Sequence, residues 1–323
     1  MKKMKVLVTG TAGFIGFHVA NALLNDGHEV VGVDDFNNYY SVKLKRARHL
    51  LLEKHERYSG VECDICDSER IQALFKKHKF QYVCHLAAQP GVRYSLEHPF
   101  IYEHSNLQGF LVILEACRNA EIPKLVYASS SSVYGVNRKL PFSETDSVDQ
   151  PVSLYGATKK SSELMAHVYS HLFGIQMVGL RLFTVYGPWG RPDMAIWLFT
   201  EAMLRGETIN VFNYGKMRRD FTYITDIVNG IKNALFADGL NQYEIFNLGN
   251  HRSEKLMDMI HILANALDVE PKVNFMPMQP GDMQETYADI KRAQKALHFN
   301  PQTSIADGIP AFVNWYKMYH KLS

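Results

Sequence analysis

Two groups of residues in this 323-residue chain could do chemistry. The first is Gly10, Gly13 and Gly16, set in Val-Leu-Val-Thr-Gly10-Thr-Ala-Gly13-Phe14-Ile15-Gly16. An apolar run leads into Gly10 and a helical pattern follows from Phe14. That spacing suits a strand–turn–helix unit that offers backbone N–H groups and a positive dipole end to a pyrophosphate. Gly10 takes the tight turn, Gly13 lets the backbone approach the phosphates, and Gly16 lets the helix pack on the strand. Asp34 ends the next apolar run. A carboxylate there can accept from both ribose hydroxyls of an adenosine and repels a 2′-phosphate, so NAD is expected rather than NADP.

The second group is Tyr155 and Lys159, four apart and so on one face of a helix. A phenol with a pKa of about 10 is a poor base at neutral pH. A neighbouring ammonium and a positively charged nicotinamide favour the phenolate. Alone, the pair is no more than an amphipathic helix pair. Here it follows Ala128-Ser129-Ser130-Ser131-Ser132, at the carboxyl end of another apolar run, where doubly wound sheets bind ligands. Those hydroxyls suit a loop backbone, and equally a relay for a sugar hydroxyl's proton. The two groups together point to a nicotinamide cofactor and proton-coupled hydride transfer.

The elements that must position them alternate. Apolar, β-branched runs at 5–9, 29–34, 61–63, 82–86, 124–129 and 176–182 predict strands, with helices over 14–26, 42–55, 68–77, 97–119 and 151–173. Strands apolar on both sides are covered on both faces, which predicts an α/β fold with a doubly wound parallel (Rossmann) sheet. After about residue 183 the rhythm loosens around Pro188, Gly190 and Pro192. Strands over 208–212, 244–248 and 273–276 mix with helices over 193–205, 225–237, 253–268 and 304–320. We therefore expect an NAD-binding domain over 1–183 and, mainly over 184–323, a smaller mixed α/β substrate-binding lobe, with some exchange of chain between them.

Composition narrows the class. Hydrophobic residues make up 46%, charged residues 21%, and the formal net charge is +2, which singles out no polyanionic partner. The basic run Lys43-Leu-Lys45-Arg46-Ala-Arg48 reads as a solvated helix face rather than a nucleic-acid site. Cys63, Cys66, Cys84 and Cys117 lack the pairing and the histidines of a zinc knuckle, so no metal is expected and the thiols suit a reducing cytosol. No apolar run reaches membrane-spanning length, which leads us to expect a cytoplasmic protein. The predicted helices near 97–119 and 151–173 carry more apolar residues than one sheet-facing stripe needs, including Phe100, Phe110, Leu111, Leu164, Val168 and Leu172. We expect a homodimer through these helices.

These residues also carry a resemblance. Gly10-Thr-Ala-Gly13-Phe14-Ile15-Gly16, Asp64-Ile65, His85-Leu86-Ala87-Ala88, Tyr127-Ala-Ser-Ser-Ser-Ser-Val-Tyr-Gly135, Tyr155-Gly-Ala-Thr-Lys159 and Arg219-Asp-Phe-Thr-Tyr-Ile224 resemble the extended short-chain dehydrogenase/reductases, and among them the nucleotide-sugar epimerases. Two further segments, from Phe183 to Ala195 and Met278-Gln279-Pro-Gly-Asp282, are similar to those of bacterial UDP-glucuronate 4-epimerases, which supply precursors of surface polysaccharides. The resemblance implies that Asp64 and Ile65 flank the adenine, Leu86, Ala87 and Ala88 the pyrophosphate and ribose, and that Asn106 supports the cofactor loop. It places Ser130 with Tyr155 and Lys159 in catalysis, Arg219 on the UDP diphosphate, and Gln279 and Asp282 near the uridine. A 4-keto uronic acid loses carbon dioxide easily, so its carboxylate must be held. Arg191, with Thr184, Ser131 and Ser132, is the expected grip.

Rival activities differ at named positions. A 4,6-dehydratase needs an acidic pair after Ser130, where this chain has Ser131-Ser132. A UDP-glucuronate decarboxylase shares nearly every residue, and a 4-epimerase of neutral or N-acetylated UDP-hexoses has no use for Arg191. A binding protein that merely senses NAD has no need of Tyr155 with Lys159.

Overall fold

Strand β1 (Lys5–Thr9) sets the pattern for the core. Val6 and Val8 face one cluster with Phe17, Leu23, Ile227 and Ile231, while Leu7 faces another with Val33, Phe75, Ile113 and Ala166. Successive side chains thus enter opposite cores, as period-two backbone requires. The structure, a computed structural model, describes residues 3–278 and 283–322; Gln279 and Asp282 lie outside them.

Seven parallel strands form the main sheet, in the order Tyr243–Leu248, β6 (Gln176–Leu182), β5 (Lys124–Ser130), β4 (Tyr82–His85), β1, β2 (Glu29–Asp34) and β3 (Tyr58–Glu62). Helix α1 (Phe14–Asn25) and the Ile224–Phe236 helix pack together on one face. Helix α3 (Ser68–Lys77) and the Gly109–Asn119 and Leu154–Phe173 helices cover the other. This is the doubly wound α/β architecture that the apolar strands require.

The chain beyond residue 183 crosses back into this layer. Tyr243–Leu248 pairs in parallel with β6, placing Phe246 opposite Leu180. The rest builds a third core from Ile196, Trp197, Met259, Leu263, Phe312 and Trp315, with short pairs such as Thr184–Tyr186 on Phe221–Tyr223. Among the described residues no helix is long and apolar enough to cross a membrane.

Three expectations need correction. The segment 97–119 is not one helix: it runs as Tyr94–Glu97, Pro99–Tyr102, a π-helical turn Glu103–Gln108, and Gly109–Asn119. Pro99 opens a new helix because it lacks the N–H that would continue the old one. Strand β3 begins at Tyr58, three residues early, because Ser59 and Gly60 of this edge strand are exposed and leave no apolar signal. The basic run on helix α2 (Val42–Leu52) is not a solvated face, since Lys45 and Arg48 are buried. The Lys291–Leu297 helix was not anticipated at all.

Candidate active site

The glycine turn is fixed by one hydrogen bond to β2 and one within itself. Gly10 N donates to Val33 O at 2.7 Å, and Gly13 N to Gly10 O at 3.0 Å. Gly10 has φ +78°, and a Cβ there would stand 2.9 Å from Ala87 N. A Cβ on Gly16 would stand 2.0 Å from Gly10 O, so α1 can lie this close to the turn only with glycine there. Gly13 is the N-cap of α1, no side chain caps the helix, and no acidic residue sits in its first turn. Its N–H groups are therefore open to an anion.

A cleft runs from this turn to the ends of β4 and β5, lined by Gly10, Gly13, Phe14, Ile15, Gly16, Asp34, Asp64, Ile65, Leu86, Ala87, Ala88, Ser130, Tyr155, Lys159 and Arg191. Asp34 accepts from Ala12 N and Phe36 N, both at 2.9 Å, so it braces the glycine turn as well as facing the cleft. Burial pushes its carboxyl up, and those two N–H groups with Lys45 pull it back. Thr9 Oγ1 accepts from Leu86 N and Ala87 N at 3.1 Å each and fixes the backbone opposite. Asn106 lies behind the cleft. Its Oδ1 accepts from Gln89 N at 2.7 Å, and its Nδ2 donates to Gln89 O and to Thr158 Oγ1. The π-helical turn that carries Asn106 joins the cofactor wall to the helix of Tyr155. The residues present fit NAD: an anion-ready helix end, a glycine turn whose surface is backbone, and a carboxylate at the end of β2 that faces the same cleft.

The residues expected to move protons stand at the far end. Ser153 caps the Leu154–Phe173 helix, its Oγ accepting from Gly156 N at 3.0 Å, so the helix starts at 154 rather than at 151. Ser130 lines the cleft beside the Tyr155 phenol. Burial pushes that phenol up, while the Ser130 hydroxyl and the Arg191 charge draw it back down. Lys159 donates to Ala128 O at 2.8 Å, and burial pulls its ammonium down to about 8. Phenol, hydroxyl and ammonium share one dry corner, which is the arrangement a general acid–base pair needs.

The expected substrate residues scatter more widely. Arg191 lines the cleft and forms a bidentate ion pair with Asp193, whose Oδ2 also accepts from Tyr39 OH at 3.0 Å. Thr184 and Arg191 share a small apolar pocket with Met194, Trp197, Phe221 and Phe312. Ser131 and Ser132 sit half-buried in the 3-10 turn after β5, and Ser132 N donates to Ser130 Oγ at 3.1 Å. Among the described residues neither serine lines the main cleft. Arg219 lies in a small sheet formed by Arg218–Arg219, Glu254–Lys255 and Glu285–Thr286, and donates to Arg218 O and Gln284 O. Residues not anticipated also face the cleft, among them Asn37, Tyr39, Lys45 and Gln89. For Lys45 a signal existed: it is a cation on the first helix after the strand-end Asp34.

Comparison with known proteins agrees with this geometry. Residues 6–249 match the NAD dependent epimerase/dehydratase family. The chain is 48% identical to UDP-glucuronate 4-epimerase 4 of Arabidopsis thaliana, over 98% of its own length and 76% of that protein. It is 45% identical to Protein CapI of Staphylococcus aureus, over 98% and 100% respectively. A crystal structure of UDP-glucuronic acid 4-epimerase from Bacillus cereus, in complex with UDP-glucuronic acid and NAD, superposes with a TM-score of 0.90 at 37% identity, covering 98% of this chain and 100% of that one. With its glycine turn, its Tyr155–Lys159 pair and a match spanning most of its length, this chain belongs to the NAD dependent epimerase/dehydratase family.

Proposed function

We propose that this protein interconverts UDP-glucuronate and UDP-galacturonate by inverting carbon 4 of the sugar. The observation that carries the substrate reading is the place of Arg191: its charge reaches the Tyr155 phenol from a cleft wall otherwise built for a dinucleotide. A guanidinium at that spot has a role if the sugar bears a carboxylate. NAD held by the glycine turn and Asp34 would supply the hydride acceptor for carbon 4 and the donor for its return.

The chain's own residues handle protons and position. Tyr155, as phenolate, takes the 4-hydroxyl proton, with Ser130 holding phenol and sugar oxygen in line and Lys159 favouring the anion. The 4-keto sugar then turns about its diphosphate linkage while UDP stays held. Tyr155 returns the proton on the opposite face. The C5–C6 bond is the weak point, because the carboxylate is β to the ketone. Arg191, with Thr184 beside it as a donor, keeps it out of alignment with the carbonyl π system. Arg219 takes the UDP diphosphate, to which its planar fork is suited.

We read residues 1–183 as serving mainly the cofactor and 184–323 mainly the UDP-sugar. A homodimer through the Gly109–Asn119 and Leu154–Phe173 helices is supported by Leu111 (43% exposed), Leu164 (56%) and Leu172 (63%), which leave an apolar face open. A reducing cytoplasm suits the four free thiols. The experiment is direct: incubate the protein with UDP-glucuronate and no added oxidant, and follow the sugar by NMR. UDP-galacturonate without carbon dioxide is expected; UDP-pentose as main product would make the protein a decarboxylase instead.

A further inference from the structure

Arg48 is fully buried, yet among the described residues no carboxylate accompanies it. Its guanidinium is surrounded by backbone oxygens. Nη1 donates to Ala12 O at 2.8 Å and to Tyr40 OH at 2.7 Å. Nη2 donates to Trp189 O at 2.7 Å and to Gly190 O at 3.0 Å. Ala12 lies inside the glycine turn, and Trp189 and Gly190 immediately precede Arg191. One side chain therefore spans the cofactor turn and the loop that carries the guanidinium in the cleft.

That loop is held in a shape it would not choose. Trp189 has φ +61°, a left-handed backbone that a bulky residue rarely adopts. Its ring packs on Trp315 and Tyr319 of the C-terminal helix, at 5.1 and 5.2 Å between centroids. The preceding carbonyl, Pro188 O, accepts from His18 Nε2 of α1 at 2.9 Å. Three consecutive carbonyls, at 188, 189 and 190, are thus bound by side chains of the cofactor half. The Trp189 ring itself bridges the halves, since it also packs on Phe17 of α1 at 5.7 Å between centroids.

We propose that Arg48 is a positioning residue for substrate specificity: it clamps the Trp189–Gly190 carbonyls to the glycine turn and so aims Arg191 at the sugar carboxylate. This rests on the reading of Arg191 given above. Remote groups that fix a charged side chain within fractions of an ångström act on the ligand that this side chain binds. Lysine cannot replace Arg48, since an ammonium has no planar fork to reach carbonyls on two loops together.

The test compares NAD-loaded wild type, Arg48→Met and Arg48→Lys in three readings: KM for UDP-glucuronate, the inhibition constant of UDP, and carbon dioxide released per turnover. UDP lacks the carboxylate. The clamp predicts that KM rises by roughly tenfold or more in both variants. It also predicts that UDP inhibition changes by less than about twofold and that carbon dioxide appears as a new product. If KM and the UDP constant rise together, or if neither moves and no carbon dioxide is released, the proposal is overturned. Variants that fold but retain no NAD overturn it too, because Arg48 would then serve the cofactor turn alone. A wild type that leaves UDP-glucuronate unchanged defeats the substrate reading instead, and the comparison with UDP tells the two failures apart.

Discussion

Glu163 and Arg181 form a buried ion pair beside the Tyr155–Lys159 corner, Arg181 Nε on Oε1 at 2.8 Å and Nη2 on Oε2 at 2.9 Å. Glu163 lies on the helix of Tyr155 and Arg181 on β6, while Ser129 of β5 donates to Glu163 Oε1 at 2.6 Å. Three elements that converge on the cleft are thus joined through one carboxylate. Breaking such a pair on one side leaves a charge buried without a partner. Glu163→Gln should cost about 3 kcal/mol of stability, read by urea unfolding of the NAD-loaded protein. An unchanged midpoint would show that the pair contributes nothing.

Arg191→Ala removes the guanidinium that, in our reading, holds the sugar carboxylate in the cleft. We expect KM for UDP-glucuronate to rise by roughly 10- to 100-fold and part of the product to appear as UDP-pentose with carbon dioxide. Wild-type KM with clean UDP-galacturonate would assign the carboxylate grip to other residues.

Burial lowers Lys159 from 10.5 to about 8, so the folded protein releases this proton before the unfolded chain does. From pH 8 to 10.5 the unfolded chain binds the extra proton, and stability rises with pH across that window. Below pH 8 the buried charge imposes its full cost. Lys159→Met, measured without NAD, should exceed wild type by about 3 kcal/mol at pH 7, with the gap closing towards pH 10. Parallel pH profiles would contradict the burial argument.

Gly16→Ala forces a methyl against Gly10 O, a backbone atom that cannot move without opening the turn. The variant should lose at least about 2 kcal/mol and emerge from purification with little NAD, measured by absorbance at the adenine band. Full NAD content would mean that the turn is softer than its hydrogen bonds imply.

Leu164→Glu with Leu172→Glu places two charges on the exposed apolar face of the Leu154–Phe173 helix. Sedimentation should shift from dimer to monomer, because unpaired carboxylates are costly inside a helix bundle. Retention of the wild-type species would move any interface elsewhere.

Much of this was legible from residue type alone, and the limits have a physical cause. The strands around Val8, Val31 and Val126 announce themselves because both of their faces are dry. The glycine turn is readable because its glycines answer local backbone needs. The burial of Arg48 is not legible locally because it depends on distant carbonyls such as Trp189 O, whereas Lys45 is held by Asn37, close to it in the chain. The π-helical turn at 103–108 is likewise set by Asn106 reaching Gln89 and Thr158, partners far apart in the chain. Strands as short as Thr184–Tyr186 and Phe221–Tyr223 carry too few residues for any period to show.

The strand Tyr243–Leu248 has a consequence for anyone dividing the protein. It is the outermost member of the main sheet, hydrogen-bonded along the whole of β6. A fragment ending at residue 183 would leave β6 as a bare edge and strip α1 of the Ile224–Phe236 helix that covers it. Such a piece should aggregate rather than bind dinucleotide. The parts before and after residue 183 are made by one interwoven chain and stand or fall as a unit.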